Sequence, residues 1–352
     1  MKNYSKTISL LFRSQLGAVL AFLVIALCFA VADYFYGSGN FVGFRNMRSI
    51  SHSAALIAVP ALGMTIIIIA GGIDLSAGTA LTLCGTVFAS MLKFSPVTNE
   101  ASSFGGYILI ALLVTLATGC ICGLINGLLI STTKVVPFIV TLGTMTIFLG
   151  IGQIIAQEST VYAPPEHVPL WLQNLCYTGS NIEKYNLIRY VPTDAILAIF
   201  LAVSVGLLLK FTIFGRNVFA LGSSELTARL CGINVFLTRV FVYTLAGLFV
   251  ALGSLLYYAN VKNGNPTDGQ GMELDIIAAV VLGGGSLSGG RGSILGTMIG
   301  ALIIVVIQNG CDLLQIPNTV TLIAIGCIII IAVVVDQFRQ KIEPSKAPDA
   351  AA

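Results

Sequence analysis

Charge is what this chain has least of. Asp, Glu, Lys and Arg make up 9% of its 352 residues, against 56% hydrophobic ones. A water-soluble domain needs about a quarter charged residues to cover its surface, so that class is excluded. Histidine (two residues) and tryptophan (one) are nearly missing. His52 and His167 are too isolated from each other to make a metal site. The phosphate loop G-x-x-x-x-G-K-[ST] is absent, as are G-x-S-x-G and H-E-x-x-H. No catalytic residue and no cofactor is therefore assigned to the chain. No nucleic-acid partner is assigned to it. The eight cysteines form no ligand or disulfide pattern. All but Cys176 lie in or beside apolar segments, where a small polarizable side chain is ordinary.

What fills the chain instead is long apolar runs. They are continuous rather than alternating, which excludes a β-barrel. An all-α polytopic membrane protein of about ten transmembrane helices follows, each needing about 20 apolar residues. The segments are 16–36, 50–70, 75–92, 106–131, 136–157, 193–213, 239–260, 274–286, 293–314 and 316–336, the eighth so short that it reads as half a helix or a re-entrant piece. The first run is too long and aromatic for a leader and is read as a retained span. Residues 1–15 and 339–352 are tails around a single transmembrane domain, 16–338, with an outer loop at 158–192 carrying Trp171 and an inner loop at 215–238. With the N-terminus inside, inner segments collect 12 basic residues and outer ones 6, as the positive-inside rule requires. Both termini are then cytoplasmic.

Two of the apolar runs are interrupted. Gly71-Gly72-Ile73-Asp74-Leu75-Ser76 places a carboxylate between hydrophobic stretches, and Gly283-Gly284-Gly285-Ser286-Leu287-Ser288 repeats the glycines. Such an acid costs a few kcal/mol unless it meets protein, water or a helix end. Gly71, Gly72, Gly283 and Gly284 free the backbone for a helix break, and Asp74 or Ser76 can cap the next helix. Asp74 also suits a proton carrier. Broken helices of this kind belong to transporters.

The inner loop predicts a short surface helix, capped by Ser223 or Ser224 and closed by Gly232, with Glu225 and Arg229 at i, i+4. It is too polar to span a bilayer. An internal repeat also shows: Asn126-Gly127 followed by Val136-Pro137 matches Asn309-Gly310 followed by Ile316-Pro317. On the assigned topology the two turns face opposite sides, the pattern of an inverted repeat. Two apolar stretches also match by chance, and the sequence leaves both readings open. The Leu287-Ser288-Gly289-Gly290 string is not an ATPase signature without a phosphate loop; a tight turn or close packing accounts for it.

Taken together, these residues resemble the permease subunits of bacterial ABC importers for monosaccharides, the ribose-type branch. The resemblance runs from about residue 50 to 338 and rests on four motifs in order: Gly71–Ser76; Gly123–Gly127 with Val136–Gly143; Ala220–Gly222 through Ala228 to Gly232–Val235; and Glu273–Val281 leading into Gly283. Ala77-Gly78 stands where valine-glycine is frequent in the group. The resemblance implies a type II importer-like fold in which two permease copies, a homodimer before a heterodimer, form a channel in the inner membrane. It implies a partner ATPase that binds ATP and Mg, a periplasmic sugar-binding protein, and a coupling helix bearing Arg216, Gly222, Glu225, Ala228, Arg229 and Gly232. Mildly polar path residues are expected at Asn126, Phe138, Thr141, Gln308 and Asn309; the amides equally suit hydrogen bonds between helices. A branched-chain amino-acid ABC permease and an ion-coupled secondary carrier are the rival readings.

Overall fold

A computed structural model describes residues 2–37, 39–95, 101–169, 171–172 and 192–342. Twelve α-helices are described: α1 (Lys2–Tyr36), α2 (Phe44–Ile69), α3 (Ala77–Lys93), α4 (Ala101–Thr133), α5 (Pro137–Ala156), α6 (Thr193–Phe211), α7 (Ile213–Ser223), α8 (Glu225–Leu230), α9 (Val235–Val261), α10 (Met272–Leu282), α11 (Ile294–Leu313) and α12 (Asn318–Ile342). Among the described residues there is no strand, only an isolated bridge between Val161 and Gly264. Each of the ten apolar segments is helical, and seven helices (α1, α2, α4, α5, α6, α9 and α11) are long and apolar enough to cross a membrane. Most of the loop from 158 to 192, with Cys176, lies outside the described residues, as does the end of the chain beyond 342.

α2 is the central helix. From Ala54 to Ile69 nearly every side chain is buried, which is how a helix apolar on all sides is used. α9, α11, α10 and α6 pack around it. The broadest contact, α4 on α9, is a small-residue seam: Gly119, Gly123 and Gly127 recur every fourth residue, and a Cβ on any of them would strike the backbone of Gly247, Tyr243 or Val240. Helices in lipid gain little from hydrophobic association, so close backbone approach and dispersion contacts carry this seam.

The eighth apolar segment is a half-helix. α10 has 11 residues, about 16 Å at 1.5 Å per residue, too short to span. The irregular stretch before it packs against α3, where the Thr82 hydroxyl donates to the Pro266 carbonyl (2.9 Å). Non-helical backbone at membrane depth needs such protein burial.

A polar cluster ties α2, α6 and α9. His52 Nδ1 meets the fully buried Asp194 carboxylate, and its Nε2 lies 3.1 Å from Asn260 Oδ1. The histidine that reads as isolated in sequence is thus an interhelical tie.

Candidate functional site

Both interruptions end their helices in the same way. At the end of α2, Gly71 N–H donates to Ile68 O (3.0 Å) and Gly72 N–H to Ile67 O (3.0 Å), with Gly71 at φ +83°. At the end of α10, Gly284 N–H donates to Val281 O (2.9 Å) and Gly285 N–H to Val280 O (2.8 Å), with Gly284 at φ +87°. This is the Schellman cap, which needs a left-handed residue and therefore glycine.

Beyond the cap the first break is rebuilt by side chains. Asp74 Oδ1 accepts from Ser76 N–H (2.8 Å) and from the Ser76 hydroxyl (2.6 Å). Ser76 occupies the N-cap position of α3 without using its own side chain as the cap, so of the two cap candidates it is Asp74 that takes the free amide. Asn126 of α4 donates to Ser76 Oγ (2.8 Å) and more weakly to both Asp74 oxygens (3.4 Å each). The Thr144 hydroxyl of α5 donates to Asn126 Oδ1 (2.7 Å), and Leu75 N–H donates to Thr141 Oγ1 (3.1 Å). Asp74, Ser76, Asn126, Thr141 and Thr144 are all buried. Buried polar atoms this fully paired hold three helices in one register.

The second half of the chain has a comparable acid–amide pair. Gln308 of α11 donates to Asp275 of α10 (3.2 Å), as Asn126 of α4 does to Asp74 ahead of α3. Each Asn-Gly pair of the internal repeat lies on the second helix of its set, followed by a connection holding a left-handed residue (Lys134, Gln315). Asn309 exchanges 2.8 Å hydrogen bonds with Asn46 of α2. Of the five path residues, Asn126 and Thr141 thus meet at the first break, while Gln308 and Asn309 sit on α11 with partners elsewhere. Phe138 stands apart and exposed at the start of α5.

The loop at 215–238 meets both breaks. Where one short helix is expected, the chain forms two, α7 and α8, because Ser224 is extended (φ −165°, ψ 111°). Ser224 Oγ accepts from Thr227 N–H (3.2 Å), so it and not Ser223 is the cap. Gly232 (φ +80°) closes α8 in a Schellman cap, with its N–H on Arg229 O (3.0 Å) and Ile233 N–H on Ala228 O (3.0 Å). Glu225 is held by Arg229 (2.5 Å) and by Arg239 of α9 (2.7 Å). Burial alone would raise its pKa; the hydrogen bonds and charges of the Arg239 and Arg229 guanidinium groups outweigh that and hold the carboxyl below its ordinary range. Ala228 is buried and Arg216 exposed.

Gly222 is the contact point. Gly290 N–H donates to Ile69 O (2.8 Å), so the second break caps an orphan carbonyl at the end of α2. Gly222 lies against that pair: a Cβ there would overlap Ile69 O and stand 2.6 Å from Gly290 N. A Cβ on Gly289 would meet Gly222 O at 2.6 Å and Gly71 Cα at 2.9 Å. Three segments distant in sequence therefore touch backbone to backbone. Hydropathy carries no signal for this; only the glycine at 222 hints at it.

Residues 46–333 match a family model described as branched-chain amino acid transport system / permease component. The chain belongs to this permease family. Several of its relatives are sugar import permeases by name. The ribose import permease protein RbsC of Escherichia coli K12 is 34% identical over 322 residues, covering 90% of this chain and 93% of its own. RbsC of Bacillus subtilis is 34% identical over 325 residues (92% of each chain). The fructose import permease protein FrcC of Rhizobium meliloti is 32% identical over 307 residues, 86% of this chain and 81% of its own. No solved structure matches. The chain is thus a ribose-type ABC permease, a non-catalytic membrane subunit, and the expected resemblance holds over nearly its full length.

Proposed function

We propose that this subunit passes a monosaccharide across the bacterial inner membrane, with ATP hydrolysed on a separate subunit and the sugar delivered by a periplasmic binding protein. The observation that carries the reading is the Gly222 junction. A surface helix pair packed onto both helix breaks can convey motion at its outer side to the membrane-embedded segments, with little side-chain slack to absorb it.

In this reading α7 and α8 dock on the ATPase. Arg216 and Arg229 lie on the open side, with Leu226 (72% exposed) and Leu230 (81% exposed), a solvent-facing i, i+4 apolar pair. An apolar pair rimmed by charge suits a protein groove. Glu225, tied to Arg239, orients α8 rather than reaching outward. Gly222, Ala228 and Gly232 fix its seat. Both termini are cytoplasmic, which puts the junction on the ATPase side.

The sugar path runs beside α5, whose face with Phe138, Ile139 and Leu142 is exposed, and a second copy of the chain supplies the opposite wall. Asn126 and Thr141 brace that wall from behind. Gln308 and Asn309 are half-buried and offer amides to sugar hydroxyls. No tight site is needed, since capture belongs to the binding protein.

The test is a mild-detergent pull-down of the tagged chain from native membranes, followed by ATP-dependent sugar uptake in proteoliposomes. Recovery of a P-loop ATPase and uptake that needs ATP support the proposal. Uptake without ATP that collapses with an ion gradient would move the chain to the secondary carriers, with Asp74 as the first residue to examine.

A further inference from the structure

The α2–α6–α11 face holds a groove that no part of the transport reading uses. It has a volume of about 750 Å³ and runs along α6 from Ala195 to Phe211. Small residues make it: Ala54, Ala55 and Ala58 of α2 form the floor, and Ala198, Ala202 and Gly206 of α6 one wall. Met298 and Leu302 of α11 form the other wall. Between Ser51 at one end and Lys210 at the other, the lining is apolar throughout. Water entering there would find fewer than the two polar partners it needs. The groove lies between helices long and apolar enough to cross the bilayer, so it opens toward hydrocarbon rather than solvent.

Its two ends differ. At the Ser51 end the lining is uncharged, with the His52–Asp194 pair buried beside it, whereas the Lys210 end carries an exposed ammonium whose Nζ lies 5.2 Å from the Phe211 ring centroid. None of the described lining residues bears a carboxylate. A lysine at a span end extends its head toward the lipid headgroup layer while its stem stays in hydrocarbon. Apolar along its length and cationic at one mouth, the groove complements a molecule that is apolar and anionic in the same arrangement.

We propose that this groove is a binding site for an anionic glycerophospholipid, one acyl chain lying along α6 over the alanines of α2 and the headgroup phosphate facing Lys210. Basic pockets between spans select acidic lipids in this way. The lipid fills the cleft between α6 and the central helix α2, whose inner end carries the junction with Gly222.

The probe is the full chain in nanodiscs of equal phosphatidylglycerol and phosphatidylethanolamine, each in turn carrying a photoreactive acyl chain, with crosslinked residues mapped by mass spectrometry. The expected result is labelling concentrated on Ala198–Gly206 and Met298–Leu302, favouring phosphatidylglycerol about fivefold, the factor for one basic side chain near an anionic headgroup. Lys210→Glu should abolish the preference. Gly206→Leu should abolish the labelling; a Cβ at 206 meets nothing within 4 Å, so this variant fills open space and folds. Three results would overturn the site: labelling spread evenly over the exposed faces of α4 and α5, indifference to lipid charge in both the parent chain and Lys210→Glu, or efficient Gly206→Cys disulfide dimerisation, which would assign the groove to a second copy of the chain.

Discussion

The two helix breaks start alike and are finished differently. Each ends its helix with a Schellman cap on a left-handed glycine, Gly71 in one and Gly284 in the other. From there the first break is completed by side chains, with Asp74, Ser76, Asn126, Thr141 and Thr144 pairing nearly every polar atom. At the second, glycine backbone comes close to backbone. Gly283 packs on Gly296, and Gly290 reaches Ile69 O directly. One break is fixed by hydrogen bonds and fails when a partner is removed. The other contains glycines in close approach and also fails when an atom is added there. Gly222 touches the place where they meet, so any relative motion of the two breaks passes it.

The largest effect is expected at that meeting point. Gly222→Ala places a methyl group onto the Ile69 carbonyl and close to Gly290 N. Both are backbone atoms, and neither can rotate away. Overpacking of that kind costs up to about 3 kcal/mol, and here it would also separate α7 from the breaks. Thermal unfolding in detergent should show a clear loss of stability, and substrate-stimulated ATP hydrolysis by the assembled complex should disappear. An alanine variant with normal coupling would mean that the junction is passive.

Next comes the side-chain break. Asp74→Ala leaves the buried Ser76 N–H and hydroxyl without their acceptor, at a cost of about 1–3 kcal/mol. Asp74→Asn keeps an acceptor oxygen for Ser76 N–H, and asparagine caps about as well as aspartate, so it should retain most of the stability and transport. That order, measured by unfolding and uptake, separates a capping carboxylate from a proton carrier: transport lost in Asp74→Asn at full stability would point to the proton.

How much of this was legible beforehand divides along the same line. Features set by local chemistry were readable: the apolar segments as helices, the breaks at Gly71 and Gly283, the short α10, and the α8 closure at Gly232. Asp74 was readable as a cap because a carboxylate three residues ahead of a helix has few other uses in an apolar setting. What could not be read is pairing across sequence distance. Nothing near Gly222 announces Ile69 or Gly290, and His52 gives no sign of Asp194 or Asn260. Glu225 and Arg229 read as a local i, i+4 pair, while the second partner, Arg239, comes from the next helix. The split of the inner loop into two helices was missed for a related reason: Ser223 and Ser224 are equal caps by type, and only the extended backbone at Ser224 distinguishes them.

Within the glycine-built break two substitutions sharpen the contrast. Gly283→Ala should behave like Gly222→Ala, because its Cβ would overlap the Gly296 carbonyl group and lie 2.6 Å from Thr297 N. At Gly284 a Cβ meets nothing within 4 Å, and the left-handed φ of +87° is the sole obstacle. Its cost is then the conformational one, about 1–2 kcal/mol. Equal losses at the two neighbours would show that backbone conformation, and not close approach, governs this break.

The smallest effect belongs to the ion pairs that orient α8. Glu225 sits with two guanidinium partners but has 41% of its side chain exposed, so solvent screening limits the contribution to about 0.2–1 kcal/mol. Its carboxyl is held below the ordinary value of 4.5. A depressed acid stabilises the fold fully above the unfolded value and loses that contribution as pH falls through the folded one, so α8 should loosen only below about pH 4.5. Amide exchange of residues 225–230, corrected for its intrinsic pH dependence, should stay protected from neutral pH down to that point and then weaken by a few fold. Glu225→Gln should be weakened at every pH, and the parent chain in high salt should approach it, since exposed pairs are screened. Identical profiles for the two chains would mean that Ala228 and the Gly232 cap, without the ion pairs, hold α8 in place.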